Sequence, residues 1–123
     1  MTVIVTDTGF GPDAQTGTQV LDLEPETNIE TLVIAPGVDV IRIHFPSFAD
    51  GRGFTLARRL RLRGFTGHLR AHGHVLADQY AMARRSGFDD VEIDDALAAR
   101  QPEDQWITRA NWQSHDYQSR LRG

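Results

Sequence analysis

Apolar and polar residues alternate along three short segments of the chain, and this pattern predicts three β-strands. The segments cover residues 40–45, 68–72 and 91–94. After each segment, apolar residues recur at a spacing of three or four, which is typical of an amphipathic helix. Strands that alternate with helices indicate βαβ units, so the pattern predicts a parallel sheet with right-handed crossovers.

Four helices are expected after these strands. Gly64 and Gly87 follow the first two of them, and glycine is the residue that most often ends a helix in the left-handed conformation. The predicted helices cover residues 54–63, residues 75–86, a short segment that begins after Asp94 or Asp95 and ends before Pro102, and residues 103–111.

The N-terminal third has a different pattern. Residues 2–6 are mostly β-branched and residues 19–23 alternate, so both segments are expected to be strands. The turn-forming residues 9–13 lie between them and favour a hairpin. We therefore expect a single α/β domain with three parts: an N-terminal hairpin and connector over 1–38, a βα core over 39–112, and a polar tail over 113–123.

The core strands do not read as strands buried on both faces, because every second residue is polar. Residues with apolar side chains point to one face, where the helices would pack. The other face resembles the inner face of a β/α-barrel segment, but a small open sheet is equally consistent. This polar face could be a solvated ladder of ion pairs, the floor of a charged pocket, or a surface covered by the hairpin or by a second copy in a homodimer. Its expected polar residues are Arg42 and His44, Arg70 and His72, and Glu92 and Asp94, one pair from each strand and in register with one another, so that Arg42, Arg70 and Glu92 would align.

Composition narrows the possible chemistry. The chain has 123 residues, no cysteine and a net charge of -4. Without cysteine it supplies neither thiol redox chemistry nor cysteine ligands to an iron–sulfur cluster. The negative charge argues against non-specific binding to nucleic acid. All 13 basic residues are arginine, a planar cation suited to carboxylates and oxyanions.

Localisation is predicted from what the sequence lacks. The N-terminal residues have neither the basic region nor the long apolar region of a signal peptide, and no apolar run is long enough to span a membrane. A cytoplasmic protein with no membrane partner is therefore expected.

The loop at residues 50–53 is the first candidate site. It brings a carboxylate, a guanidinium and two glycines to the carboxyl end of a predicted strand, where open α/β sheets bind ligands. Backbone N–H groups at the start of the next helix can hold an anion, and Arg52 can add a bidentate arm. The alternative is that Asp50, Gly51 and Gly53 only make a tight turn and a helix cap.

Histidines form the second candidate. His68, His72 and His74 precede Asp78, and imidazoles with a carboxylate are common metal ligands. However, His68 and His72 lie about 13 Å apart along an extended strand, which is too far to share a metal. His72 and His74 lie on either side of a predicted turn and could converge with His44 of another strand, but isolated, partly exposed histidines are the favoured interpretation, so no metal site is assigned.

Two further surfaces could bind a partner. The first predicted helix carries four arginines, which form either a solvated face or a patch for an acidic protein. Near the C-terminus, Trp106 is expected in the core, whereas Trp112 and Tyr117 could form a binding edge. The four arginines are Arg58, Arg59, Arg61 and Arg63.

Several strings between Val40 and Ile93 resemble an uncharacterised bacterial family, filed as a domain of unknown function. Its members are labelled probable oxidoreductases involved in sulfite reduction, by association with assimilatory sulfite reductase. The matching strings are Phe45-Pro46-x-Phe48-x-Asp50-Gly51-Arg52-Gly53-Phe54, Arg61-x-Arg63-Gly64-Phe65-x-Gly67, Leu69-Arg70-Ala71-x-Gly73-x-Val75-Leu76-x-Asp78-Gln79, Arg85-x-Gly87-Phe88-Asp89 and Tyr117-Gln118.

The chain also departs from this pattern. His44, His68 and His74 replace residues that are usually acidic, and His72 replaces an aliphatic one. The polar residues that do match are the ones on which the resemblance places an anion- or partner-binding role. They are Asp50, Arg52, Arg61, Arg63, Arg70, Asp78 and Gln79, with Gly51 and Gly53 in the same loop.

The resemblance implies an accessory protein of assimilatory sulfite reduction. It would bind a sulfur oxyanion, the sulfite reductase haemoprotein or its electron donor through the loop at 50–53 and the arginines. One alternative is a small enzyme with a site on the polar face around Arg42, Arg70, Asp78 and Glu92. The other is a structural homodimer module. No cofactor is evident, no catalytic residue can be assigned, and the sequence leaves open whether the protein is an enzyme.

Overall fold

A computed structural model describes residues 2–12 and 19–110. These residues form six strands, four α-helices and one 3-10 turn. The strands are β1 (Thr2–Thr6), β2 (Gly9–Gly11), β3 (Val20–Leu23), β4 (Val40–Phe45), β5 (His68–Gly73) and β6 (Asp90–Asp94). The helices are α1 (Arg52–Leu62), α2 (Tyr80–Ser86), α3 (Asp95–Arg100) and α4 (Glu103–Thr108), and the 3-10 turn (Ala77–Gln79) leads directly into α2.

The strands form one sheet in the order β2-β1-β6-β5-β4-β3. From β3 to β6 the strands are parallel and adjacent in sequence order, whereas β1 and β2 are antiparallel to their neighbours. Because right-handed crossovers between successive parallel strands leave their helices on one face, this part has the arrangement of a β/α-barrel segment. The predicted α/β class with a parallel core is confirmed.

The N-terminal hairpin exists but is made of different strands from those expected. Thr2–Thr6 pairs with Gly9–Gly11, and the backbone N–H of Phe10 donates to Glu103 Oε2 at 2.8 Å, which fixes the hairpin to α4. Val20–Leu23 instead pairs in parallel with β4 at the opposite edge of the sheet. The predicted pairing of residues 2–6 with 19–23 is therefore wrong, because the glycine-rich segment returns as a strand immediately.

One apolar core lies between the sheet and the helices. Buried residues from five strands meet buried residues from all four helices. Trp106 is fully buried against Tyr80, with the two rings edge to face at 6.0 Å, so the prediction that Trp106 belongs to the core is confirmed. The strand residues of this core are Val5, Leu23, Ile41, Ile43, Phe45, Leu69, Ala71, Val91 and Ile93.

The predicted helix over 75–86 begins later than expected. Leu76 is extended, with φ -89° and ψ 156°, and helical structure begins only at Ala77. The side chain of Gln79 accepts a hydrogen bond from the Leu76 N–H, and the side chain of Gln101 accepts one from the Ala77 N–H. Both backbone amides are therefore satisfied without a preceding helical turn. The extended segment keeps Val75 in the core while the chain crosses the carboxyl edge of the sheet.

Polar residues line the face opposite the helices, as the alternation predicts, but the register differs by two residues at β6. Arg42 lies beside Arg70, and Arg70 beside Asp90. His72 lies beside Glu92, whereas Asp94 pairs with Thr2 of β1. The expected alignment of Glu92 with Arg70 is therefore corrected, because β6 begins at Asp90 and adjacent parallel strands are staggered.

Candidate functional site

Ion pairs occupy the centre of the polar sheet face. Arg70 donates from Nε and Nη2 to the two carboxylate oxygens of Asp90, at 2.8 and 2.9 Å. Arg42 donates from Nε to Asp22 at 2.5 Å and from Nη1 to Glu92 at 3.1 Å. Arg70 and Asp90 are only 3% and 4% exposed, so this part of the face is closed to a ligand.

Two carboxylates of this face, Asp22 and Asp90, are held in their charged form. The hydrogen bond from Arg42 lowers the pKa of Asp22. Burial alone would raise the pKa of Asp90, but the hydrogen bonds from His68 and Arg70 outweigh it and lower that pKa. Because a buried charge is tolerated only when it is paired, these contacts stabilise the sheet. The geometry therefore favours a ladder of ion pairs at Arg70 and Glu92, whereas Arg42 also lines a cavity of about 260 Å³ together with Asp22, His44 and His72.

The histidines lie nearer the carboxyl ends of the strands. The rings of His44 and His72 are 5.7 Å apart, and His72 Nε2 lies 3.8 Å from Glu92 Oε2. Burial lowers the pKa of His72 against the opposing charge of Glu92, so this imidazole is neutral near pH 7. His74, just past β5, packs its ring edge to face with Phe48 at 5.1 Å.

A cavity of about 200 Å³ opens at this end of the sheet, and we call it the carboxyl-edge cavity. It lies at the carboxyl ends of three parallel strands, which is the usual position of ligand sites in open α/β sheets. The lining residues come from β1, β4, β5, β6, α3 and the loop after β5. They are Thr2, His44, His72, Gly73, His74, Asp94, Leu97 and Arg100.

The loop at 50–53 folds onto itself. Asp50 accepts from Arg52 Nε at 3.0 Å, from Arg52 Nη2 at 2.7 Å and from the Arg52 backbone N–H at 3.1 Å. These bonds lower the pKa of Asp50 to about 2. Gly51 is the N-cap of α1 and offers no side chain, while Gly53 packs on the ring of Phe45. Asp50, Gly51 and Gly53 therefore shape the loop, whereas the side chain of Arg52 remains 58% exposed.

Arg61 has a structural role, because its guanidinium is engaged by hydrogen bonds within the chain. It donates to the carbonyl oxygens of Phe65, Gly67 and Gly87 and to the carboxylate of Asp89, at 2.7 to 3.1 Å. A guanidinium with this many internal acceptors has little capacity left for a ligand. Arg61 thereby joins the end of α1 to the start of β6.

Gln79 and Asp78 are also engaged within the chain. Gln79 donates to the Phe48 carbonyl at 3.0 Å, which joins the loop after β4 to the loop after β5. Asp78 is exposed and accepts a hydrogen bond from Arg109. Neither residue lines the carboxyl-edge cavity.

A groove between α1 and the connector 24–34 holds three of the arginines. Arg52, Arg59 and Arg63 are spaced by seven and four residues, so they follow one stripe of the helix. We call this feature the arginine groove. It contains cavities of about 430 and 240 Å³, lined by Leu32, Val33, Ile34, Leu60, Arg63, Gly64 and Phe65 and by Pro25, Thr27, Ile29, Arg52, Thr55, Leu56 and Arg59.

The predicted site residues are thus divided between places. Arg52 and Arg63 line different cavities of the arginine groove, and His44 and His72 line the carboxyl-edge cavity. Arg61, Arg70 and Gln79 hold the fold together. Sequence reasoning missed the groove wall, because the connector 24–34 has no helical or strand period. It also missed Asp90 and Arg100, although their charge at a strand start and a helix end was a usable signal.

Residues 2–12 and 19–110 also bear on two further kinds of function, metal binding and membrane insertion. There, no three or more histidine and carboxylate side chains are placed to hold a metal ion. No helix in this part of the chain has the length and apolar character needed to cross a bilayer. The predicted binding edge at Trp112 and Tyr117 lies outside the described residues.

The fold and these surfaces define a small α/β protein with a partly parallel six-stranded sheet, one helical layer and a polar face. The chain belongs to a bacterial family of proteins of unknown function, DUF934, whose sequence model matches residues 20–123. The match begins at β3, so the hairpin β1–β2 precedes it. No curated protein and no solved structure matches the chain.

Proposed function

We propose that the protein is an accessory protein of assimilatory sulfite reduction, and that it docks on an acidic surface of the sulfite reductase haemoprotein through the arginine groove. The link to sulfite reduction rests on the resemblance of residues 40–93. The docking surface rests on the geometry of α1 and the connector 24–34. The groove includes Arg52 of the loop at 50–53 and Arg63, two of the residues on which the resemblance places a binding role.

Exposed apolar side chains at the groove carry the proposal. Val33 is 85% exposed in its wall, and Leu62 at the end of α1, which does not line the groove, is 81% exposed. Large apolar residues at such exposure, beside a groove that is itself apolar, are typical of protein–protein surfaces. The groove also has the length of a short peptide segment, because its two cavities follow α1 from Arg52 to Phe65.

Charge supports an acidic partner. Arg59 pairs with Glu30 across the groove, Arg52 with Asp50, and Arg63 donates to the Ile29 carbonyl. The two ion pairs are exposed, and water screens such pairs so that they contribute little to stability. Carboxylates of a partner can therefore replace them, and the encounter would weaken with added salt.

The internal pairing of the polar sheet face favours an accessory role over the alternative of an enzyme with a site there. Arg42, Arg70 and Glu92 would each have to leave a short ion pair before touching a substrate. Breaking a buried pair costs several kcal/mol. In the groove only exposed ion pairs would have to be exchanged.

Binding to purified sulfite reductase haemoprotein tests the proposal, with Val33→Asp as the main variant. A carboxylate in the groove wall should repel an acidic partner, and we expect affinity to fall at least tenfold in biolayer interferometry. Met82→Asp is the matched control, because Met82 is an exposed apolar residue on α2, outside the groove. It should bind like the wild type.

Three results would overturn the assignment. One is a wild-type protein that does not bind the haemoprotein, and another is equal binding by Val33→Asp and Met82→Asp. The third is a wild-type dimer in analytical ultracentrifugation that Val33→Asp dissociates, since the groove would then be a contact between two copies. Binding to the electron donor but not the haemoprotein would likewise reject the partner named here.

A further inference from the structure

We propose that the carboxyl-edge cavity binds a small oxyanion through the guanidinium of Arg100 and the imidazoles of His44, His72 and His74. This site goes beyond partner docking, since none of its lining residues belongs to the arginine groove. It also moves the expected anion site away from the loop at 50–53, where Arg52 is already held by Asp50.

Three of the four proposed donors are uncommitted within the described part of the chain, whereas His72 Nε2 lies 3.8 Å from Glu92 Oε2. Arg100 makes no ion pair or side-chain hydrogen bond there, unlike Arg42, Arg52, Arg59 and Arg61. The ring nitrogens of His44 and His74 likewise have no hydrogen-bond partner among the described residues; these rings make only aromatic contacts. A cavity with several unused N–H donors is suited to a ligand that accepts hydrogen bonds.

The floor of the cavity depends on a glycine. Gly73 has φ +117°, and a Cβ atom there would lie 2.7 Å from the Phe45 carbonyl oxygen and 3.5 Å from the His44 ring. A side chain at this position would therefore displace β4 or fill the space between the histidines. The glycine keeps the strand end close to β4 and the cavity open.

The size of the cavity limits the ligand. A volume of about 200 Å³ corresponds to roughly seven water molecules at their share of liquid volume. Sulfate, phosphate or a short carboxylate fits this space, whereas a nucleotide or flavin does not. The cavity therefore selects for a small oxyanion rather than for a large cofactor.

The charges of the lining residues favour an anion that binds to the guanidinium of Arg100. Among the described residues, Asp94 is the one carboxylate that lines the cavity, and its Oδ1 accepts from the Leu97 N–H at 2.7 Å as the N-cap of α3, while Glu92 approaches His72 from outside the lining. The described side chains offer no metal-ligand set, so a bound cation lacks the ligands it needs. A guanidinium can bind two oxygens of one oxyanion at once, and the imidazoles add donors around it.

Titrations with sodium sulfate, sodium phosphate and sodium acetate test the site, at pH 7 and constant ionic strength, by isothermal calorimetry and by shifts of histidine NMR signals. We expect binding of at least one of these anions, with shifts at His44, His72 and His74. Arg100→Gln should weaken it at least tenfold. Arg58→Gln is the matched control, because Arg58 is an exposed arginine of α1 away from the cavity, and it should leave affinity unchanged.

The substitution Asp94→Asn tests independently whether the bound ligand is negatively charged. Asparagine is as good an N-cap as aspartate, so α3 should remain intact, which circular dichroism would verify. Removal of the negative charge should tighten anion binding several-fold. Weaker binding by Asp94→Asn, unchanged binding by Arg100→Gln, or no binding of the three anions by the wild type would each overturn the proposal. Val33→Asp should bind the anion normally, so this proposal and partner docking fail separately.

Discussion

Gly53 makes the loop after β4 recognisable in the sequence, but its role is packing. The ring of Phe45 lies directly above it, and that ring also packs against Phe54 at 5.0 Å and Phe88 at 5.8 Å between ring centres. A residue without a side chain allows the start of α1 to approach these three rings. Gly51, two residues earlier, has open space around it.

Replacing Gly53 by alanine should therefore destabilise the protein. The added Cβ would lie 2.4 Å from Phe45 Cζ, and the ring has little room to move between Phe54 and Phe88. Overpacking of this kind costs about 1–3 kcal/mol in the free energy of unfolding, which urea denaturation would measure. Gly51→Ala is the control, and we expect a change below about 0.5 kcal/mol. Equal effects of the two substitutions would contradict this account.

At the scale of secondary-structure elements, neighbouring βα units are joined by side chains that donate hydrogen bonds to the carbonyl oxygens of loops. Arg61, near the end of α1, binds carbonyl oxygens in the loop that leads to β5 and in the loop that leads to β6. Gln79 does the same between the loops after β4 and β5. These side chains satisfy loop carbonyls that no helix or sheet partner reaches.

The substitution Arg61→Met should loosen this connection. Methionine retains much of the apolar stem but leaves three loop carbonyls and Asp89 without their shared donor. Each unsatisfied, partly buried group costs about 1–3 kcal/mol, so we expect roughly 2–4 kcal/mol of lost stability overall in urea denaturation. Arg58→Met, on the exposed side of the same helix, should change stability little. If both variants unfold at the same urea concentration, the hydrogen bonds of Arg61 are not important for stability.

The whole molecule is an open sheet, and its edges differ from its centre. β5 is bounded by β4 and β6, whereas β2 and β3 have a strand on only one side. β2 has three residues and β3 has four, and Val20 at the start of β3 is exposed. Short edge strands are expected to open without unfolding of the core.

Native-state hydrogen exchange should reveal this difference. The amides of Leu69 to His72 in β5 should exchange only with global unfolding, because β5 is paired on both sides and its apolar residues are buried. Amides of β2 and β3 should exchange at least tenfold faster, through local opening. Protection in β3 equal to that in β5 would indicate that something covers this edge in solution.

The sequence predicted much of the fold, and the reason lies in particular residues. The alternation in Ile41-Arg42-Ile43-His44 is a local property, and it assigned the polar and apolar faces correctly. Gly64 and Gly87 placed the ends of α1 and α2 within a residue or two. The candidate site was harder to predict from the sequence. Residues 50–53 have the same sequence whether Arg52 binds a ligand or pairs with Asp50.

From the sequence alone came the class of the protein, the two-faced sheet and the absence of thiol chemistry, since these depend on composition and on residues close together in the chain. The tertiary structure decided which strands are neighbours, that Asp90 rather than Glu92 lies beside Arg70, and that Arg100 joins three histidines around one cavity. Those relations join residues far apart in sequence, and they are fixed by how the whole sheet packs on its helices.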